Sequence, residues 1–338
     1  MRRTLTVLLT LLLTAAVLTA CGSSDDGAGL DWSSTKAPVG ADTGLVWADA
    51  LTGEIHLSDG QTLDADRAIS SFVVAGDGAY VVDKDDDALI EVTADGARPT
   101  GAHVETRAKA SPSGRYLAFI DTLAGPKFEG TVHQLTSVVV DLKTGEEVFR
   151  STRGMGDVED DDLTDLYEDA DYGVLAVNDE TAWISVPEGD VLSIDLSTGK
   201  ATSKRDTDTS NPKNPWVGPR FAPEPSEGPA NPDRTWGISR ISRDVPALAA
   251  DPAFRFDRDE LTSADGARLV PRTGAVSWRL EAWVDSETVV GHANDNLDNP
   301  DFVKDPKTPS LMTCTVPDGA CTLVPDSEHA ILPEPSLY

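Results

Sequence analysis

Ala110-Ser111-Pro112-Ser113-Gly114-Arg115-Tyr116-Leu117-Ala118-Phe119 and Val140-Asp141-Leu142-Lys143-Thr144-Gly145 decide the fold of this chain. The first is a short strand, a tight turn at Ser113-Gly114 and a second strand of apolar and aromatic residues. The other is a strand ending in a turn whose glycine supplies the positive φ that hairpins need. Ile194-Asp195-Leu196-Ser197-Thr198-Gly199 repeats that turn 54 residues on.

Thr-Gly or Asp-Gly turns follow strand-like runs at Thr52-Gly53, Asp95-Gly96, Thr144-Gly145, Thr198-Gly199, Asp265-Gly266 and Asp318-Gly319. A second set, Asp77-Gly78, Ser113-Gly114, Asp179-Glu180 and Asp285-Ser286, lies upstream of four of them. Two nested turn sets with a spacing near 50 residues divide the chain into four-strand units, the sign of a β-propeller. A β-sandwich explains strands and turns but not the shared period. Units 72–100, 107–152, 172–203 and 277–326 show the pattern well; 235–271 shows it poorly, with Trp236–Ile241 and Ala267–Pro271 as its clear strands.

The Ala110–Phe119 stretch resembles the strand pair of TolB-like and WD-repeat propellers. The two Asp-Leu-x-Thr-Gly hairpins resemble those common to propellers, the quinoprotein kind included. The resemblance implies an all-β propeller; five internal units and one composite blade make six blades, or seven if 200–262 hides another. The chain is expected to begin in the third strand of a blade, Leu45–Ala50. The C-terminal strand near Ala330–Pro333 completes that blade, so the ring closes and leaves no open sheet edge.

Arg2 and Arg3 open the chain, and an uncharged run from Thr4 to Ala20 follows. A basic start, an apolar stretch and small residues before a cut describe a secretory signal peptide. The run is short for a transmembrane span, which needs about 20 apolar residues. Leu18-Thr19-Ala20-Cys21 resembles a bacterial lipobox. The resemblance implies cleavage after residue 20, lipidation of Cys21 and an exported protein anchored to the outer face of the bacterial cell membrane. It also implies two or more acyl chains, the number that makes anchoring stable. Residues 21–43, rich in Gly, Ser, Asp and Ala, read as a flexible tether, and residues 44–338 as the propeller domain.

The formal charge is −30, and loss of Arg2 and Arg3 with the leader makes it −32. Such a chain repels nucleic acid and anionic lipid. The membrane is therefore reached through the anchor alone, and the charge is compatible with cationic partners or metal ions, or serves solubility in a cation-rich envelope. Cys314 and Cys321 flank Val316-Pro317-Asp318-Gly319, a turn that brings the two sulfurs within reach in an oxidising compartment.

In a propeller, the links from second to third strand and from fourth strand to the next blade leave on one face. The long insertions, 122–134, 152–171, 201–234 and 294–309, all belong to that group, and insertions gathered on one face mark a binding face. The 152–171 loop is strongly acidic, net −8, with Asp160, Asp161, Asp162 and Asp165 at its centre. Asp295 and Asp298 lie in another of these loops. In the Pro-rich 201–234 loop, Trp216 and Phe221 stand beside Arg220 as a candidate contact patch; the other reading of Trp216 is a cap on the apolar end of the propeller.

Asp83-x-Asp85-x-Asp87 begins like an EF-hand loop, but Ala88 and Ala94 stand where Gly and the bidentate Glu belong. No cofactor and no metal site is expected, only weak surface calcium binding. The five histidines have no ligand spacing, and neither a Gly-x-Ser-x-Gly elbow nor a phosphate loop is present. No catalytic residue stands out. The sequence reads as a binding or scaffold protein whose partner is a protein, peptide or glycan. The alternative is a propeller hydrolase or lyase acting on envelope carbohydrate or a small molecule, with His133 and His292 near the loop face.

Overall fold

Alternation of inward and outward residues gives each strand two usable faces, and here both faces are apolar. In Ile69–Ala75, Val73 and Ala75 join one buried cluster while Ile69 and Phe72 join another. In Gly78–Asp83, Tyr80 and Val82 go to the first, Ala79 and Val81 to the second. A sheet buried on both faces must be flanked by two other layers.

The structure, a computed structural model, describes residues 30, 32, 44–130, 132–205, 208–211, 213–217, 228–240, 242–244, 255–275, 277–294 and 309–334. Sheet I runs Ala330–Ile331, Trp47–Asp49, Glu54–His56, Thr62–Asp64. Sheet II runs Ile69–Ala75, Gly78–Asp83, Ala88–Thr93, Gly96–His103, and sheet III Lys109–Ala110, Tyr116–Asp121, Thr136–Asp141, Glu146–Ser151. Sheet IV runs Gly173–Val177, Thr181–Ser185, Asp190–Asp195, Lys200–Arg205. Sheet V has Trp236–Ser239, Glu260–Ser263 and Arg268–Leu269, and sheet VI has Ser277–Trp283, Thr288–Asn294, Ser310–Thr315 and Cys321–Leu323. Every pairing is antiparallel between neighbours in these orders.

Sheets I and II share an apolar layer around Ile55 and Phe72, II and III around Tyr80 and Phe119, and III and IV around Ile120 and Ile184. V and VI meet around Leu261 and Leu280, and VI returns to I through Val290, Leu311 and Trp47. The first turns of successive sheets also touch. Gly76 donates to Gly114 O at 2.8 Å, Ser113 Oγ donates to Asp179, and Asn231 Nδ2 donates to Ser286 O at 2.7 Å. Sheets packed face to face at five of their six junctions, with the first turns of three pairs in contact and the last sheet returned to the first, make a β-propeller.

The closure differs in one detail from the sequence reading. Trp47–Asp49 pairs with Glu54–His56 on one side and with Ala330–Ile331 on the other, so it is the second strand of its sheet and not the third. The outer strand Thr62–Asp64, three residues with one buried side chain, is too short to announce itself. Thr52-Gly53 is accordingly a second-to-third link.

The Asp-Leu-x-Thr-Gly turn is explained residue by residue. Asp141 accepts the Lys143 N–H at 3.0 Å, and Asp195 accepts the Ser197 and Thr198 N–H groups at 3.0 and 2.9 Å. Leu142 and Leu196 turn into the inter-sheet layers. Gly145 and Gly199 sit at φ 71° and 67°, where a side chain is strained. Arg115 then grips Asp141 through two bonds of 3.0 and 2.6 Å, tying the Ser-Pro-Ser-Gly-Arg turn to the hairpin of the same sheet. Cys314 and Cys321 are directly opposite in register and form a disulfide.

Candidate partner-binding face

Sheet V settles which links share a face. Gly228 donates to Ile238 O at 3.0 Å, Ile238 donates to Pro229 O at 3.2 Å, and Ala230 bridges Gly237. Residues 228–230 thus fill the innermost place, and Trp236–Ser239 is a second strand. The link 240–259 is therefore of the second-to-third kind and leaves on the same face as 122–134, 152–171, 201–227 and 294–309. It is a further insertion on that face, and the sequence reading missed it. Its paired segments Ser242–Asp244 and Arg255–Asp257 continue the register of Trp236–Ser239 against Glu260–Ser263 without a break. Arg240 holds its base, with its guanidinium on Asp259 at 2.6 Å and on Leu280 O.

The acidic 152–171 link is folded rather than loose. Tyr167 donates its hydroxyl to Met155 O at 2.7 Å and accepts the Leu135 N–H at 3.1 Å. Gln134 Nε2 donates to Gly156 O, which joins this link to 122–134. Met155 and Leu163 are fully buried beneath it. Asp162 caps the short helix Leu163–Asp169, accepting from Thr164 and Asp165 N–H. Asp161 accepts the Asp157 N–H at 2.7 Å, and Asp160 and Asp165 are exposed. With the apolar side of the link turned inward, its carboxylates are displayed outward.

Of the two readings of Trp216, exposed contact or apolar cap, the first does not hold. Trp216 is buried at 8% exposure against Ala176, Trp183 and Val191 of sheet IV, and its indole N–H donates to Thr209 O at 2.8 Å. Between 201 and 234 the chain lays this ring on the face of sheet IV turned away from sheet III, so Trp216 covers core and is not an exposed contact. Phe221, Asp295, Asp298 and Cys21 lie outside the described residues.

Asp83 accepts the Asp85 N–H at 2.8 Å and the Arg67 guanidinium at 3.0 Å. These donors hold its carboxyl below the usual range against burial, so the EF-like start is a turn device. Among the described residues no three His, Cys, Asp or Glu side chains converge as a metal-binding group. His133 Nδ1 is bonded to Gly125 O at 3.0 Å, and His292 lies between Glu281 and Ala330 O, each at 2.9 Å.

The inner strands hold a cluster the sequence did not single out. Lys109 donates to Leu175 O at 3.1 Å, from sheet III to sheet IV, while Glu334 pairs with Arg107 at 3.1 Å. Burial pushes the Lys109 amine down and the Glu334 carboxyl up. Only the topology brings the C-terminal Glu334 near Lys109. On the opposite face, the outer turns of sheets III and IV frame an open hollow of about 480 Å³ floored by Arg115 and Asp141.

No family model and no curated protein matches the chain. Among solved structures it is similar to the β-propeller domain of the trilobed protease from Pyrococcus furiosus (11% identity, TM-score 0.28, 72% of this chain and 68% of that one). It is similar also to BamB from Moraxella catarrhalis (13%, 0.31, 82% and 68%). A third is the β-propeller domain of Cps50 (Swd1) from Myceliophteria thermophila (15%, 0.32, 86% and 85%). At these TM-scores the propeller rests on the strand order and shared apolar layers above, and the chain is defined by class as a β-propeller.

Proposed function

We propose that this protein is a lipid-anchored, extracytoplasmic propeller of six blades that binds a positively charged protein or peptide through its long-loop face. The observation that carries the reading is the placement of the links. Every long insertion leaves on the face of the second-to-third and sheet-to-sheet links, while the described turns on the other face are short. The folded acidic link 152–171 supplies rigid negative charge, which steers a basic partner and weakens with salt. Calcium would be a loose counter-ion of that surface rather than a resident metal. The signal-peptide-like leader and the lipobox-like ending at Cys21 support a position outside the cell membrane.

The test is a variant in which the exposed Glu159, Asp160, Asp165 and Glu168 become Gln or Asn. Asp161 and Asp162, which hold the link together, stay. Cross-linked pull-downs from intact cells should lose the partner in the variant, and the wild-type complex should weaken as salt is raised. An unchanged partner list with the variant folded would move the binding surface elsewhere.

A further inference from the structure

We infer that Leu30 and Trp32 strap the N-terminal tether into the groove between sheets II and III, fixing how far the propeller stands from the membrane. The inference rests on the reading of Cys21 as the lipid anchor. The groove is built for these residues. The Trp32 ring lies with its centroid 5.6 Å from that of Phe119 and 6.3 Å from that of Tyr80, tilted against both. Its indole N–H donates to Glu147 Oε1 at 3.3 Å. Glu147 is aimed by Arg150, which donates to both its oxygens at 2.6 and 2.8 Å.

Leu30 packs on the other wall. It lies over Gly101, which has φ 86°; a side-chain carbon at that glycine would come 3.6 Å from Leu30 Cδ2. Gly101 belongs to the outermost strand of sheet II and Glu147 to that of sheet III. Both tether residues join the buried cluster that welds these sheets. Two apolar residues in a polar stretch, seated in a groove with an oriented acceptor, make a site and not a passing contact.

The consequence is geometric. From Cys21 to Leu30 the chain spans at most about 30 Å, whereas from Cys21 to the first sheet, starting near Gly44, it would span about 80 Å. Docking at Leu30 therefore shortens the leash and fixes which flank of the propeller, sheets II and III, lies nearest the membrane. That flank is not the loop face, so anchoring leaves the long links clear.

The test uses lipidated protein in vesicles that carry an acceptor dye, with a donor dye at the exposed Leu323. Ten Gly-Ser residues are inserted either after Gly27 or after Pro38, each adding about 30 Å of reach. The strap predicts that the insertion after Gly27 lowers energy transfer and that the insertion after Pro38 leaves it unchanged. Adding Trp32→Ala should make the second insertion lower transfer too. Equal loss from both insertions, or no loss from either, overturns the strap. Vesicle flotation separates this from the anchor. If Cys21→Ser floats as wild type does, the anchor reading fails and the strap fails with it. If only wild type floats and the insertions are equivalent, the strap alone fails.

Discussion

His292 joins the last sheet to the strand that closes the ring, and its two bonds dictate its charge. Glu281 and the Ala330 carbonyl can only accept, so both ring nitrogens must donate, which only the imidazolium does. Burial alone would lower its pKa. The hydrogen bond and charge of Glu281 and the Ala330 carbonyl outweigh that and raise it, although Arg279 lies opposite in register. Glu281 is correspondingly held low: burial opposes this, but His292, Arg279 and Arg240 prevail. The stabilisation is therefore complete below the ordinary histidine value of about 6.5 and is lost as pH rises through the raised one. It also fades at acid pH, as pH falls through the lowered value of Glu281. His292→Ala should cost about 1–3 kcal/mol at the weakly acidic optimum. Thermal melts should show the gap from wild type closing in alkaline buffer; a constant gap across pH would rule out the charged latch. The sequence placed this histidine near the loop face, where it enters only the alternative reading of a hydrolase or lyase. Its role was not legible because its partners are an adjacent strand and a strand 38 residues on.

At the scale of the element, turns were legible and side-chain direction was not. The Asp-Leu-x-Thr-Gly hairpins show in sequence because every position is fixed by a local cause: an Asx acceptor, a buried leucine, a positive φ. The ladder from Trp236 to Ser263 does not show, since its outer segments are short and charged and the inner piece 228–230 is held by little more than one bridge. Trp216 is the clearest case. A Pro-rich stretch identifies a link, but nothing in it says that the indole folds back onto Trp183. Trp216→Ala should destabilise the protein by about 3–5 kcal/mol, the range for removing a buried aromatic side chain. An exposed contact residue would give a change within about 0.5 kcal/mol. Denaturant unfolding distinguishes the two, and the small value would return Trp216 to the contact surface.

At the scale of the molecule, the ring decides what the loops can do. Closing the first sheet with Ala330–Ile331 leaves its second strand paired on both sides and gathers links distant in sequence on one face. The nested turns forecast that gathering, because strand alternation alone sorts links between faces. The strap at Trp32 was illegible, because its groove is made by residues from Tyr80 to Glu147 and exists only once sheets II and III have met. Photo-crosslinking in intact cells shows whether the long-loop face is the partner surface. A photoreactive residue is placed at Asp160 or Glu168 on the loop face, and at Asp59, Asp95 or Thr144 in the turns of the opposite face. Adducts are expected from Asp160 and Glu168 and none from the three turns. Adducts from the turns alone would move the partner surface to the opposite face.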